Sequence, residues 1–187
     1  MGLLLIEQAF NGLQFGVMLF LIAAGLTLVF GIMDLVNLSH GSLVMVGAYL
    51  ATTLIEWTGS FILGILLALP STFLVGVVVE IVVLRTLYER DHLDQVLATF
   101  GLILFFNELI RIVWGPASLY SGLPESISGH VEILPGVPYP AFRLLIILVG
   151  LLVALLIYFI VARTKLGMLI RAGASNREMA GALGVNI

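Results

Sequence analysis

Long apolar runs dominate the chain, and its polar residues gather at their ends. A bilayer core of roughly 30 Å is crossed by about 20 apolar helical residues. Three blocks meet that length: Phe10 to Met33 without a charge, Phe61 to Val79 ahead of Glu80, and Leu144 to Ala162 behind Arg143. A fourth, Gln95 to Trp114, is long enough and carries Glu108 and Arg111 near its far end. Leu35 to Ile55 is also uncharged, but only Asp34 separates it from the first block, and one residue cannot turn an antiparallel helix pair. Either Asn37-Leu38-Ser39-His40 is the turn and a short second helix runs from Gly41 to about Trp57, or the polar segment is an unwound break within the membrane. The pattern predicts an all-α, polytopic membrane helical bundle of about five transmembrane helices with a broken or short second helix, in a single membrane domain spanning 1–187. Between the fourth and fifth helices, Gly115 to Pro140 holds five of the six prolines. There Val131 to Leu134, followed by Pro135-Gly136, predicts a short strand entering a turn.

Composition sharpens this picture. With 61% hydrophobic and 10% charged residues and a mean hydropathy of +1.20, the chain has too little charge to clothe a soluble domain, so lipid must cover its apolar blocks. A net charge of -3 with no basic run argues against a nucleic-acid partner. The absence of cysteine excludes disulfides and thiolate metal sites, and three scattered histidines form no metal-ligand cluster. The first apolar block outruns a signal peptide and lacks a basic leader, which predicts a retained helix. Arg85, Arg90, Arg163, Lys165, Arg171 and Arg177 fall on one side of the predicted helices, against Arg111 and Arg143 on the other. The positive-inside rule therefore makes loops 85–94 and 163–187 cytoplasmic and puts the N-terminus outside.

Few residues could carry chemistry. Gly12 with Gly16, Gly47 with Ala51 and Gly150 with Ala154 are small pairs at helix-contact spacing, which predicts close intramolecular packing. Pro70 should bend the third helix. Glu80 can snorkel to the cytoplasmic edge, and Glu108 with Arg111 forms an i,i+3 pair, so all three are structural anchors. No buried acid relay is present, and energy for uphill transport must come from elsewhere. The segment Asn37-Leu38-Ser39-His40-Gly41-Ser42 interrupts continuous hydropathy. A broken helix of that kind can expose backbone groups to a polar solute, while an ordinary turn with helix-capping side chains reads equally well. A Ser39-His40 nucleophile pair lacks a third orienting group. In the tail, Ser175-Asn176-Arg177-Glu178 fits a capping box with Ser175 as N-cap. Met179, Ala180, Ala182 and Leu183 then supply apolar surface, and Gly184 supplies a stop. Such a helix of about two turns is too short to be stable alone: it either docks on a partner or lies on the membrane as an ordinary amphipathic loop helix.

At these residues the sequence resembles a known family. Gly25-Leu26-Thr27-Leu28-Val29-Phe30-Gly31, the Asn37 to Ser42 segment and Gly47-Ala48-Tyr49-Leu50-Ala51 are similar to the N-terminal signature of LivH-type permeases of branched-chain amino acid ABC transporters. Ala98-Thr99-Phe100-Gly101-Leu102, Trp114-Gly115-Pro116, and Thr164-Lys165-Leu166-Gly167 through Met179 to Asn186 extend the likeness in the family's order. The resemblance implies an inner-membrane permease subunit that pairs with a second permease, is driven by two cytoplasmic ATPase subunits and receives solute from an external binding protein. ATP would bind elsewhere, in keeping with the lack of a Gly-rich phosphate loop, and no cofactor is implied.

On this reading Asn37, Ser39, His40, Gly41, Ser42 and Thr99 are candidate pathway residues. Ser175, Glu178, Met179, Ala180, Leu183 and Gly184 are the candidate ATPase-coupling surface, within a coupling segment at 163–187. Two features depart from the family. Its members continue with further membrane helices where this sequence stops at Ile187, which predicts a truncated product or fragment, and Ser42 stands where many relatives carry an acid. Amides or urea are alternative solutes. A passive channel lacks a recognisable filter, and a membrane enzyme using His40 or Glu108 lacks a convergent acid-base pair.

Overall fold

The computed structural model describes residues 2–33, 35–120, 122–134 and 137–182. Along the chain run α1 (Gly2–Met33), α2 (His40–Thr58), α3 (Phe61–Val82), a 3-10 turn (Leu84–Leu87), α4 (His92–Trp114), the one-turn α5 (Glu125–Ser128), β1 (His130–Leu134), β2 (Val137–Pro140), α6 (Ala141–Arg163), α7 (Lys165–Ser175) and α8 (Arg177–Ala182). Among the described residues four helices are long and apolar enough to cross a membrane: Leu4–Gly31, Phe61–Val82, His92–Trp114 and Ala141–Arg163. They correspond to the four apolar blocks, and the chain is an all-α polytopic membrane protein. The short second helix is present as well. Its 19 residues span about 28 Å at the α-helical rise, and Thr52, Thr53 and Glu56 make its second half more polar.

The chain divides into two compact units. In the unit Met33–Leu123, α2 and α3 are joined through Gly59, whose φ of 63° reverses the chain at the end of α2, and Ser60, which accepts a hydrogen bond from the Leu63 amide at the start of α3. Such a short link demands antiparallel neighbours. Small residues let them close. A β-carbon on Gly64 would stand 2.6 Å from the Ile55 Cα, and one on Gly47 would stand 3.1 Å from the Thr72 methyl. Pro70 lies inside α3. Beyond α3 the chain turns through residues 83–91, an elbow that buries Leu84 and Leu87 and ties Tyr88 to Glu80 by a 3.0 Å hydrogen bond from the phenol to the carboxylate. Glu80 is thereby tied to the elbow. α4 follows with one buried stripe, Gln95, Thr99, Phe106 and Ile110, at helical spacing. Its far end is fixed to α2: the Trp114 indole donates to the Thr53 hydroxyl at 2.7 Å and its ring lies 5.4 Å from that of Tyr49.

The second unit is Met1–Ile32 with Pro124–Ile187. Here β1 and β2 pair antiparallel. The strand expected at Val131 to Leu134 is present, while its partner β2 escapes a reading that treats Pro138 and Pro140 as strand breakers. A two-stranded ribbon has only edges, so it tolerates both. Tyr139 is fully buried; its hydroxyl donates to the Asn11 side-chain oxygen at 3.1 Å, and Arg143 donates to the same oxygen at 2.7 Å. On α6, a β-carbon at Gly150 would collide with Val17 of α1. Gly47 and Gly150 therefore serve the close packing their spacing predicts. Gly12 and Gly16 do not: nothing lies within 4 Å of where their β-carbons would stand.

Candidate functional site

From Leu35 to Ser39 the chain is not helical. Leu35, Asn37 and Ser39 are buried in this short stretch, so its backbone polar groups need partners inside the protein. The Asn37 side-chain oxygen accepts from the Ser39 amide at 3.0 Å and from the Ser39 hydroxyl at 2.7 Å, closing a tight local turn. The Ser39 proton thus goes to Asn37 rather than to His40, which leaves the serine without an activating base.

Gln95 supplies the long-range hold. Its side-chain oxygen accepts from the Val36 amide at 3.0 Å, and its NH2 group donates to the carbonyls of Leu87 and Arg90, each at 3.2 Å. The residue is 2% exposed. Turning the amide over would set its NH2 against the Val36 N–H and its oxygen against two carbonyls, so only this orientation pairs all three groups. Thr99, one turn further on, donates to the Gln95 carbonyl at 2.7 Å, while the Val36 carbonyl lies 3.4 Å from its hydroxyl. The single hydroxyl proton belongs to the shorter contact, which leaves Gln95 as the main clasp on the segment.

The break therefore lies against the first two turns of α4 and beside the 87–90 turn. It belongs to that end of the helices rather than their middle. Of the candidate pathway residues, Asn37 and Ser39 bond to one another within the segment, and Thr99 donates to its own helix. Ser42 is buried in the first turn of α2, His40 is half-buried and Gly41 is exposed, with nothing within 4 Å of where its β-carbon would stand. Leu38, at 45% exposed, and Gly41 are the positions this segment presents outward.

The tail has a different construction. Thr164 ends α6 and caps α7: its hydroxyl accepts from the Gly167 amide at 3.1 Å and donates to the Ile160 carbonyl at 2.6 Å. A β-carbon at Gly167 would run into the carbonyls of Val161 and Ile160, so the bend between the helices needs glycine. The Arg171 guanidinium reaches back to the Val161 carbonyl, answering one of the acceptors that a helix end leaves unpaired. α7 was not legible as a helix in the sequence.

Because α7 continues to Ser175, the capping-box assignment fails. Asn176 is the residue between the two helices, and its side-chain oxygen accepts from the Met179 amide at 2.9 Å. Ser175 is instead the last residue of α7. Serine and asparagine cap equally well, and the reach of α7 selects between them. On α8, Ala180 is buried and Met179 is 63% exposed. The Glu178 backbone is helical but its side chain is outside the described atoms, and Leu183 and Gly184 lie outside the described residues.

Helices of membrane length, a polar break held at one end and a bent amphipathic tail form the setting in which the sequence comparisons fall. Residues 8–187 match the model of the family described as branched-chain amino acid transport system / permease component. The chain belongs to this family. Relatives of this permease-family chain include the high-affinity branched-chain amino acid transport system permease protein BraD of Pseudomonas aeruginosa, 29% identical over 194 residues that cover 97% of the chain and 62% of that protein. The corresponding permease protein LivH of Escherichia coli is 26% identical over 195 residues, with the same two coverages. A probable branched-chain amino acid transport permease protein LivH of Methanocaldococcus jannaschii is 28% identical over 185 residues, covering 91% of the chain and 55% of that protein. The chain thus spans about three fifths of the length of the first two relatives. No solved structure matches it.

Sequence reasoning missed Gln95. Its signal was available: Gln95 and Thr99 are polar residues four apart, on one face of a helix that is otherwise largely apolar.

Proposed function

We propose that this chain is part of a permease subunit of a binding-protein-dependent ABC importer that moves branched-chain amino acids or related small polar solutes across the bacterial inner membrane. The observation that carries this reading is the family match over residues 8–187, on a chain whose long helices suit a bilayer. A second permease subunit would complete the pathway, two cytoplasmic ATPase subunits would supply the work, and an external binding protein would deliver the solute. The positive-inside rule puts the elbow at 83–91 and the tail from Arg163 onward on the cytoplasmic side and the N-terminus outside. The break at 35–39 then belongs to the cytoplasmic end of the pathway. Its exposed neighbours Leu38 and Gly41 face the solute with half-buried His40 beside them, while the Asn37–Ser39 turn and Gln95 hold the backbone in place. The segment Ser175 to Gly184 docks on an ATPase, with Met179 and Leu183 as its apolar contacts.

The test is uptake of labelled leucine into proteoliposomes holding the complete permease, its permease partner and the ATPases. Accumulation should require both ATP and the binding protein, and Leu183→Asp should abolish it while membrane insertion is retained. Uptake independent of ATP would refute the importer reading. Normal uptake by Leu183→Asp would refute the docking role.

A further inference from the structure

The amide of Gln95 joins three stretches of chain: the break through the Val36 amide at 3.0 Å, the elbow through the Leu87 and Arg90 carbonyls at 3.2 Å, and α4 through its own backbone. Buried at 2% exposure, it is shielded from competing water, and all of its donors and its acceptor oxygen are engaged. We infer that Gln95 is a positioning residue, fastening the pathway-lining break to the elbow at 83–91 so that a displacement of the elbow is passed directly to the break. This deepens the importer reading and rests on it.

The elbow offers a handle for such a displacement. Arg85, Glu89, Arg90 and Asp91 are exposed on it, while Leu84 and Leu87 are buried beneath. The break is poorly held without the clasp. The Asn37 side-chain oxygen and the Ser39 hydroxyl and amide bond to one another within three residues, which ties them to no other element among the described residues. The Thr99 hydroxyl is committed to its own helix. One side chain therefore carries the long-range connection, and coupled motion across it requires both ends of the amide to stay paired.

Gln95→Glu separates the two ends. A carboxylate still accepts from the Val36 amide, but it cannot donate to the Leu87 and Arg90 carbonyls and is repelled by them. Gln95→Leu removes both ends. The measurement is solute transported per ATP hydrolysed by the complete, reconstituted transporter, alongside the distance between spin labels at L38C and E89C, two exposed sites on either side of the clasp. In the native protein the label distance should stay narrow and unchanged between nucleotide-free and ATP-trapped states. In both Gln95 variants it should broaden, and transport per ATP should fall roughly tenfold, the scale of one lost buried hydrogen bond.

A merely structural role lowers the number of working transporters but not the ratio. An unchanged ratio in Gln95→Glu, or an unchanged label distance in both variants, overturns the inference even if total uptake falls. If the native assembly shows no ATP-dependent uptake at all, the importer reading fails, and this inference falls with it.

Discussion

Two interruptions of helix, at 35–39 and at Thr164, solve the same problem in opposite ways. Each leaves backbone donors and acceptors without helical partners. At the second, everything needed lies within ten residues: Thr164 caps α7, Gly167 allows the approach, and Arg171 reaches back to Val161. At the first, the local Asn37–Ser39 turn is not enough, and the connection comes from Gln95, 59 residues away from Val36. A locally closed bend keeps its shape wherever it is carried. A bend closed at long range moves with its distant partner, and that suits a segment which must respond to motion elsewhere.

This contrast predicts graded effects on stability, read as thermal unfolding in detergent. Gln95→Leu should cost most, because the Val36 amide and the Leu87 and Arg90 carbonyls would lose their partner together, and each buried group left unpaired costs ~1–3 kcal/mol. A fall no larger than that of a surface control would mean that water or another group replaces the clasp. Gly167→Ala should come next, near the upper end of the ~1–3 kcal/mol typical of overpacking, since the obstacle is backbone carbonyl and no rotamer change relieves it. Its damage should stay in the tail: proteolysis should speed near residues 164–176 and leave the α2–α3–α4 unit protected. Thr164→Ala removes a cap and should cost about 1 kcal/mol, with Thr164→Ser recovering most of it. Smallest of all, Glu108→Gln should shift stability by less than ~1 kcal/mol. Its partner Arg111 stands 3.6 Å away, and both side chains are about two-thirds exposed.

The same contrast explains what could be read from the sequence. Hydropathy is a local property, and it located the four long helices, the short α2 and a polar break near Asn37, although His40 to Ser42 prove to be the first turn of α2 and the described break is 35–39. Thr164 and Gly167 stood in the sequence as polar and small residues, but α7 itself was hidden because it is only 11 residues long and a single non-helical residue, Thr164, divides it from α6. The capping register in the tail depended on where α7 ends, and so went to Asn176 instead of Ser175. Gln95 left only a faint trace, its place four residues before Thr99 on a largely apolar helix, and its role was hidden for a deeper reason. A glutamine near the start of a helix is ordinary until the chain that packs against it is known, and Val36 arrives there only through the tertiary fold. Gly64, which meets Ile55 across the α2–α3 pair, escaped notice although Ala68 stands four residues on, at the same helix-contact spacing as the pairs that were singled out.

The central claim is that the segment around Gly41 borders a solute pathway whose access follows the ATPase cycle. These 187 residues contain no cysteine, and Gly41 has open space for a side chain, so Gly41→Cys offers a single reporter in a complete transporter freed of any other cysteine. Its reaction with a membrane-impermeant thiol reagent should be several-fold faster in one nucleotide state than in the other, and slowed by transported solute. Equal rates in both states, with no protection by solute, would contradict the account.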